Sequence, residues 1–261
     1  MLFRSLSGPK ETARVVQKSR ENRPKWFGGS GQEKNMIETD KREVYRYLGY
    51  RKNLPDEAVV RLVDECLEDL QSVVTPRYIY REYPIQSVYP AGGSAAQIPL
   101  LRIAGMEISS RSLLRNLRGC ESVCLMGTTL GLGPDRLIAR ASVKHMSRAV
   151  ILQAAAAAMI EAWTDQVNGE IIQAAAERGL YCRPRFSPGY GDFPLEFQED
   201  LARILRLQKE IGVSLTESML MMPSKSVTAV VGLSREKAGC VLHGCEECTK
   251  SQDCAFARNK V

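Results

Sequence analysis

The stretch from Pro134 to about Arg178 constrains the fold of this chain more than any other. Leu137, Ile138, Ala141, Ile151, Ala155, Ala158, Met159, Ala162, Ile171 and Ile172 recur at helical spacing, which predicts a mainly helical spine with one break. Its most apolar part, Ala149 to Ala162, is largely alanine and is interrupted by Gln153 and Glu161. It falls short of the roughly 18 uninterrupted apolar residues that mark a membrane span, so no membrane partner is expected. The chain has 261 residues, of which 44% are hydrophobic and 25% charged. These values suit a globular protein with one large core and exclude a wholly disordered or fibrous chain.

Shorter elements surround the spine. Asp40 to Tyr50 predicts a short helix, and Pro55-Asp56-Glu57 opens a longer one with apolar face Val59, Val63, Cys66, Leu70 and Val73, ended by Pro76. Arg77 to Val88 and Gln97 to Ile103 read as strands joined through a Gly92-Gly93-Ser94 turn. Ser109 or Ser110 caps a helix carrying Leu113, Leu114 and Leu117 and ended by Gly119, after which Glu121 to Thr128 is a compact strand. Beyond the spine, Tyr181 to Phe186 is strand-like, Pro194 to Ile211 predicts one helix, and Ser226 to Leu233 predicts a strand. Hairpin-like rather than alternating βαβ spacing predicts an α+β domain, an antiparallel or mixed sheet packed with long helices. Gly127 to Gly133 follows a strand, but its glycine spacing fits no dinucleotide fingerprint and no Lys-Ser/Thr pair follows for a P-loop.

Of the net charge of +6, residues 1–35 carry +5. The rest of the chain is nearly neutral, so it lacks the electrostatic footprint of a nucleic-acid-binding surface, and no nucleic-acid partner is expected. Residues 1–35 have neither the apolar core of a secretory signal nor the acid-poor composition of a transit peptide, and Gly28-Gly29-Ser30-Gly31 reads as linker. They are expected to form a disordered basic extension, and Met36, directly before the first helical pattern, is a candidate translation start. Eight cysteines without an export signal point to a reducing, cytoplasmic setting, where clustered cysteines hold metal more often than they form disulfides.

Two segments are suited to chemistry. In Arg183-Pro184-Arg185-Phe186-Ser187-Pro188-Gly189-Tyr190-Gly191-Asp192, the Pro-Gly pair permits a sharp turn that presents backbone groups beside Arg185 and Tyr190. Arg185 has the geometry to pair with a carboxylate and Tyr190 offers a flat wall with a polar tip, although a proline-glycine turn with surface arginines accounts for the same spacing. In Leu215 to Val227, Met219, Leu220, Met221 and Met222 make a soft apolar surface able to fit a flat macrocycle or another domain, and core packing is the commoner use of such residues.

Thr128-Thr129-Leu130-Gly131 before an alanine-rich helix, then Arg185-Phe186-Ser187-Pro188-Gly189-Tyr190, then Leu215-Thr216-Glu217-Ser218 and Met222-Pro223-Ser224-Lys225-Ser226-Val227, resemble in that order the activation domain of cobalamin-dependent methionine synthase. The likeness is most specific from Cys124 to Leu233, is looser from Met36 to Gly119 and does not reach the first 35 residues. It implies a domain, here residues 36–235, that binds S-adenosylmethionine and closes over cobalamin. Inactive cob(II)alamin is then reduced by one electron and remethylated from the sulfonium. It further implies that Arg185 holds the methionine carboxylate, that backbone at Ser187 and Gly189 lines the ligand and that Tyr190 packs beside it. Glu161 and Asp165, on one helical face, are candidates to favour the ligand's cationic groups, and an exposed helix face is the alternative for both. None of these residues is assigned a catalytic role. Neither His145 nor His243 lies in an Asp-x-His-x-x-Gly cobalamin sequence, so the expected partner is a separate corrinoid-binding methionine synthase subunit, with an electron-donor protein.

Cys240, Cys245, Cys248 and Cys254 are spaced C-x4-C-x2-C-x5-C within the segment 236–261, expected to be a metal-binding tail. The first three match part of a plant-type ferredoxin pattern and favour an iron–sulfur cluster. Zinc suits four thiolates equally, with His243 available as a substitute ligand. Cys66, Cys120, Cys124 and Cys182 are expected in the core. The resemblance therefore implies a stand-alone reactivation subunit, a methyltransferase component. A non-catalytic, metal-stabilised corrinoid-protein adaptor and an iron–sulfur corrinoid reductase are the alternatives.

Overall fold

The structure is a computed structural model that describes residues 36–50, 55–88 and 100–237. The basic extension, the Gly92-Gly93-Ser94 turn and the four tail cysteines lie outside the described residues.

Helix α1 (Lys41–Tyr47) is capped by Asp40, whose side chain accepts from the Arg42 amide, and α2 (Glu57–Val73) by Asp56, which accepts from the Val59 amide at 2.8 Å. Strand β1 (Arg77–Val88) follows, then β2 (Leu100–Ile103) and β3 (Met106–Ile108). Of the two candidate caps it is Ser110 that starts α3 (Arg111–Asn116), its hydroxyl accepting from the Leu113 amide at 3.0 Å. Strand β4 (Ser122–Thr129) leads into α4 (Gly133–Lys144) and α5 (Met146–Ala176), and His145 is the expected break in the spine. The chain ends in β5 (Tyr181–Cys182), α6 (Phe197–Leu205), α7 (Leu207–Ile211), β6 (Ser214–Leu215), β7 (Met221–Met222) and β8 (Ser226–Ser234).

The main sheet has the order β3-β2-β1-β4-β8-β5, and every pairing is antiparallel. Side chains alternate across its central strands, so each face builds its own core. Cys124 and Met126 of β4 and Ala229, Val231 and Leu233 of β8 meet α1, α2 and α5. Val123 and Leu125 of β4 and Val230 of β8 meet α3, α6 and α7. Helix α5, about 46 Å long at 1.5 Å per residue, is buried by the sheet on one side and by α1, α2 and α4 on others, which explains its alanine-rich composition. Arg148 joins α5 to α2 through Glu65 at 2.9 Å and Asp69 at 2.6 Å. Among the described residues no helix is long and apolar enough to cross a membrane.

Two expected elements differ. The helix from Pro194 to Ile211 is broken at Arg206, which adopts φ 55°. Arg81 of β1 donates to the Ile204 carbonyl at 2.9 Å, taking an acceptor that a continuous helix would use itself. The strand from Tyr181 to Phe186 pairs regularly only at Tyr181 and Cys182 and meets β8 again where Phe186 pairs with Val230. Between Cys182, opposite Leu233, and Phe186, opposite Val230, this segment carries one residue more than β8, a bulge around Pro184, which has no N–H to pair.

A buried polar link fixes α5 on the sheet. Thr164 donates to the Ile160 carbonyl at 2.7 Å, so its oxygen accepts the Thr128 hydroxyl at 2.8 Å. Thr164→Val removes that acceptor and strands the Thr128 hydroxyl at a cost of about 1–3 kcal/mol, whereas the Thr128→Val/Thr164→Val pair costs less because no donor is left behind. Urea unfolding of the three variants measures this order.

Candidate functional site

The bulge sets the site. In an unbroken strand Arg183 and Arg185 would share a face. Here Arg183 turns into the α3 layer and donates to the Arg118 carbonyl at 2.9 Å, while Arg185 turns to α5. Its Nη2 donates to Asp165 Oδ1 at 2.7 Å and, more weakly, to Glu161 Oε2 at 3.4 Å. These two carboxylates lie four residues apart on α5, one above the other. The structure therefore brings three of the sequence candidates together. The Arg185 side chain is 20% exposed, against 39% for Glu161 and 55% for Asp165, so the guanidinium is sunk while the carboxylates border solvent. Its Nη1 is buried and has no hydrogen-bond partner. A partly exposed pair of this kind is worth about 0–1 kcal/mol, so an incoming anion with matched geometry competes with it readily.

The other three candidates follow directly in the chain. The Ser187 hydroxyl donates to the Thr228 carbonyl at 2.7 Å, and the Phe186 amide donates to Val230 at 2.9 Å, which ties the start of the turn to β8. The Tyr190 amide donates to the Ser187 carbonyl at 3.1 Å, and Gly189, at φ +89°, donates its amide to the Phe193 carbonyl at 2.8 Å. Tyr190 is 64% exposed, with its ring 6.3 Å from that of Phe186. Tyr190 is thus an open aromatic surface at the mouth of the turn.

Two residues near these were not apparent from spacing. Tyr47 of α1 lies beside Glu161, and burial, followed by that carboxylate, pushes its phenol up. Asp192 closes the turn from the far side, accepting from the Ser110 hydroxyl at 2.6 Å, the Arg111 amide at 2.7 Å and the Ser112 amide at 2.9 Å. The only sequence signal for it is an acid directly after Gly-Tyr-Gly, because its partners lie more than 80 residues earlier, except for the Ser112 contact at 80. These donors, led by the Ser110 hydroxyl, hold the Asp192 carboxyl well below the usual carboxylate range. A depressed folded pKa means that its stabilisation is complete above the ordinary carboxylate range near pH 4 and is lost as pH falls through the lower folded value. Acid unfolding curves of the wild type and Asp192→Asn should therefore differ most above pH 4 and converge in stronger acid.

A family model described as vitamin B12 dependent methionine synthase, activation domain, matches residues 121–260, more than half of the chain. The chain belongs to this family. Among solved structures it is similar to the MetH reactivation domain bound to AdoHcy, at 17% identity and a TM-score of 0.53, over 76% of this chain and 74% of that one. That likeness shows that this activation-domain chain shares the mixed helix and antiparallel-sheet fold. The chain matches none of the curated proteins compared with it. The family match runs through the Arg185 to Tyr190 segment and into the cysteine-rich tail. Among the described residues no group of three or more His, Cys, Asp or Glu side chains is placed to hold a metal. Cys240, Cys245, Cys248 and Cys254 fall outside those residues. Of the four cysteines expected in the core, Cys66 and Cys124 are buried and Cys120 and Cys182 are partly buried. Burial pushes the Cys66 thiol up to about 11 and the Cys124 thiol to about 12, which makes them inert.

Proposed function

We propose that this activation-domain chain binds S-adenosylmethionine between α5 and the Ser187–Tyr190 turn and supports reactivation of cobalamin carried by a separate corrinoid-binding methionine synthase subunit. The observation that carries this reading is the sunken Arg185 guanidinium, flanked by two solvent-bordering carboxylates and left with one unpartnered nitrogen. These groups fit the methionine end of the ligand. Arg185 receives its carboxylate, while Glu161 and Asp165, released in part from Arg185, favour its ammonium and sulfonium charges. The Gly189 amide is already used by Phe193, so this residue offers the ligand its carbonyl and the absence of a side chain. Tyr190 and the backbone at Ser187 complete the wall. The AdoHcy held by the structurally similar MetH domain supports the same ligand class here.

When bound, S-adenosylmethionine supplies an electrophilic methyl group, and an electron-donor protein supplies the single electron that cob(II)alamin needs to accept it. The protein's own part is to orient the sulfonium and to seat the corrinoid partner. Leu220 at 64% exposure and Met222 at 47%, on the β6–β7 hairpin, form an apolar surface for that docking. The hairpin is anchored to α4 where the Ser224 amide donates to Asp135 at 2.8 Å. The tail cysteines extend the proposal to an iron–sulfur cluster or zinc, on the basis of their spacing.

Calorimetric titration of anaerobically prepared protein with S-adenosylmethionine and S-adenosylhomocysteine tests the reading. One saturable site is expected. A folded protein that binds neither, with or without a cobalamin protein, overturns it in favour of an adaptor. Iron, sulfide and zinc analysis of the same preparation tests the tail, and a metal-free protein overturns that part.

A further inference from the structure

The Ser187–Tyr190 turn is attached to different layers of the fold. Its own hydrogen bonds, Tyr190 to Ser187 at 3.1 Å, Phe193 to Tyr190 at 3.0 Å and Gly189 to Phe193 at 2.8 Å, set its shape and tie it to Phe193, which is buried in the core on the α3 side. Ser187 and Phe186 attach its first half to β8. The second half, which carries Gly189 and Tyr190, is packed through Phe193 and further attached through Asp192 to the start of α3, on the sheet face opposite α5. Gly191 allows the close approach this requires. A Cβ there would lie 2.6 Å from the Ser112 Oγ and 2.9 Å from its Cβ.

We propose that Asp192 is a positioning residue whose clamp on Ser110, Arg111 and Ser112 holds Gly189 and Tyr190 where the ligand meets them. The proposal rests on the S-adenosylmethionine reading above. Asp192 does not act as an ordinary helix cap, because α3 has its own cap in Ser110, whose hydroxyl serves Leu113 and donates to Asp192 at once. The carboxylate adds three bonds from 80 or more residues away, so its effect is to fix one segment on another. Arg185 is held independently by α5. Loss of the clamp therefore loosens the aromatic wall and the glycine backbone without releasing the guanidinium, which weakens binding without abolishing it.

The test is calorimetric titration with S-adenosylhomocysteine, well below the unfolding temperature of each variant, combined with amide hydrogen exchange. Asp192→Asn should weaken binding about 5- to 20-fold and speed exchange at Gly189 and Tyr190 while leaving α5 protected. Ser110→Ala should act in the same direction and Ser110→Thr should restore binding. The double variant Ser110→Ala/Asp192→Asn should bind no more weakly than Asp192→Asn within about twofold, since both changes open one clamp. If Asp192→Asn does not fold, the Ser110 pair decides. Wild-type affinity in the folded variants, with only a lower melting temperature, overturns the positioning role. Absence of binding by the wild type instead removes the ligand reading on which the clamp depends.

Discussion

Replacing Arg185 by alanine is expected to weaken S-adenosylmethionine and S-adenosylhomocysteine binding roughly 10- to 100-fold while changing stability by no more than about 1 kcal/mol. The two parts have different causes. A charge-assisted hydrogen bond to a carboxylate contributes about 1.5–3 kcal/mol, and about 1.4 kcal/mol corresponds to each factor of ten in affinity. The bonds that Arg185 makes within the protein run to carboxylates 39% and 55% exposed, where water replaces them at small cost. The substitution also leaves Glu161 and Asp165 facing each other without the charge between them, a repulsion of a few tenths of a kcal/mol on the helix. Arg185→Lys should not restore affinity, because an ammonium cannot engage α5 and a ligand carboxylate with one planar fork. Titration beside thermal melts separates the effects, and unchanged affinity in Arg185→Ala would remove this residue from the site.

The largest loss of stability is expected from Trp163→Ala. Trp163 is among the largest fully enclosed side chains, at 2% exposure. It packs edge-on against Tyr78 with ring centroids 5.9 Å apart, and its indole N–H donates to the Arg77 carbonyl at 3.2 Å. Emptying this volume costs about 3–5 kcal/mol through lost burial and the cavity that remains. For a domain of this size that lowers the melting temperature on the order of 10 °C. Trp163→Phe keeps most of the packing and gives up the indole bond, for about 1 kcal/mol. Because Trp163 lies on α5 between Glu161 and Asp165 in sequence, the alanine variant should also bind ligand less tightly at temperatures where it stays folded. Equal melting temperatures for wild type and Trp163→Ala would contradict this packing.

The elements that carry strong periodicity were legible in the sequence. The Pro55-Asp56-Glu57 opening of α2, strands β1, β4 and β8 and the broken α4–α5 spine all follow from local pattern and capping chemistry. Strand β3 and the β6–β7 hairpin were not, since strands of two or three residues show no alternation to read. The break at Arg206 is accompanied by a bond from Arg81, 123 residues from the carbonyl that it takes, and no window of local sequence contains both. The site divides the same way. Glu161 and Asp165 share a face by spacing alone, and the Pro-Gly turn declares itself. Their meeting with Arg185 was implied only by family resemblance, because the sheet and a bulge create it. Asp192 closes the turn segment but received no role from the sequence, because its partners come from the opposite layer.

Pro184 can also be seen as a phase boundary. Up to Arg183 the segment keeps step with β8 and belongs to the scaffold, with its arginine 5% exposed and committed to a backbone carbonyl. From Arg185 onward it runs half a period out of step, and its arginine is turned toward the solvent-bordered carboxylates. One residue without an amide proton thus separates two arginines of identical chemistry into a structural and a responsive one. Comparisons between distant relatives across this segment should therefore count positions backward from the glycine-tyrosine turn, and not forward from the end of the long helix.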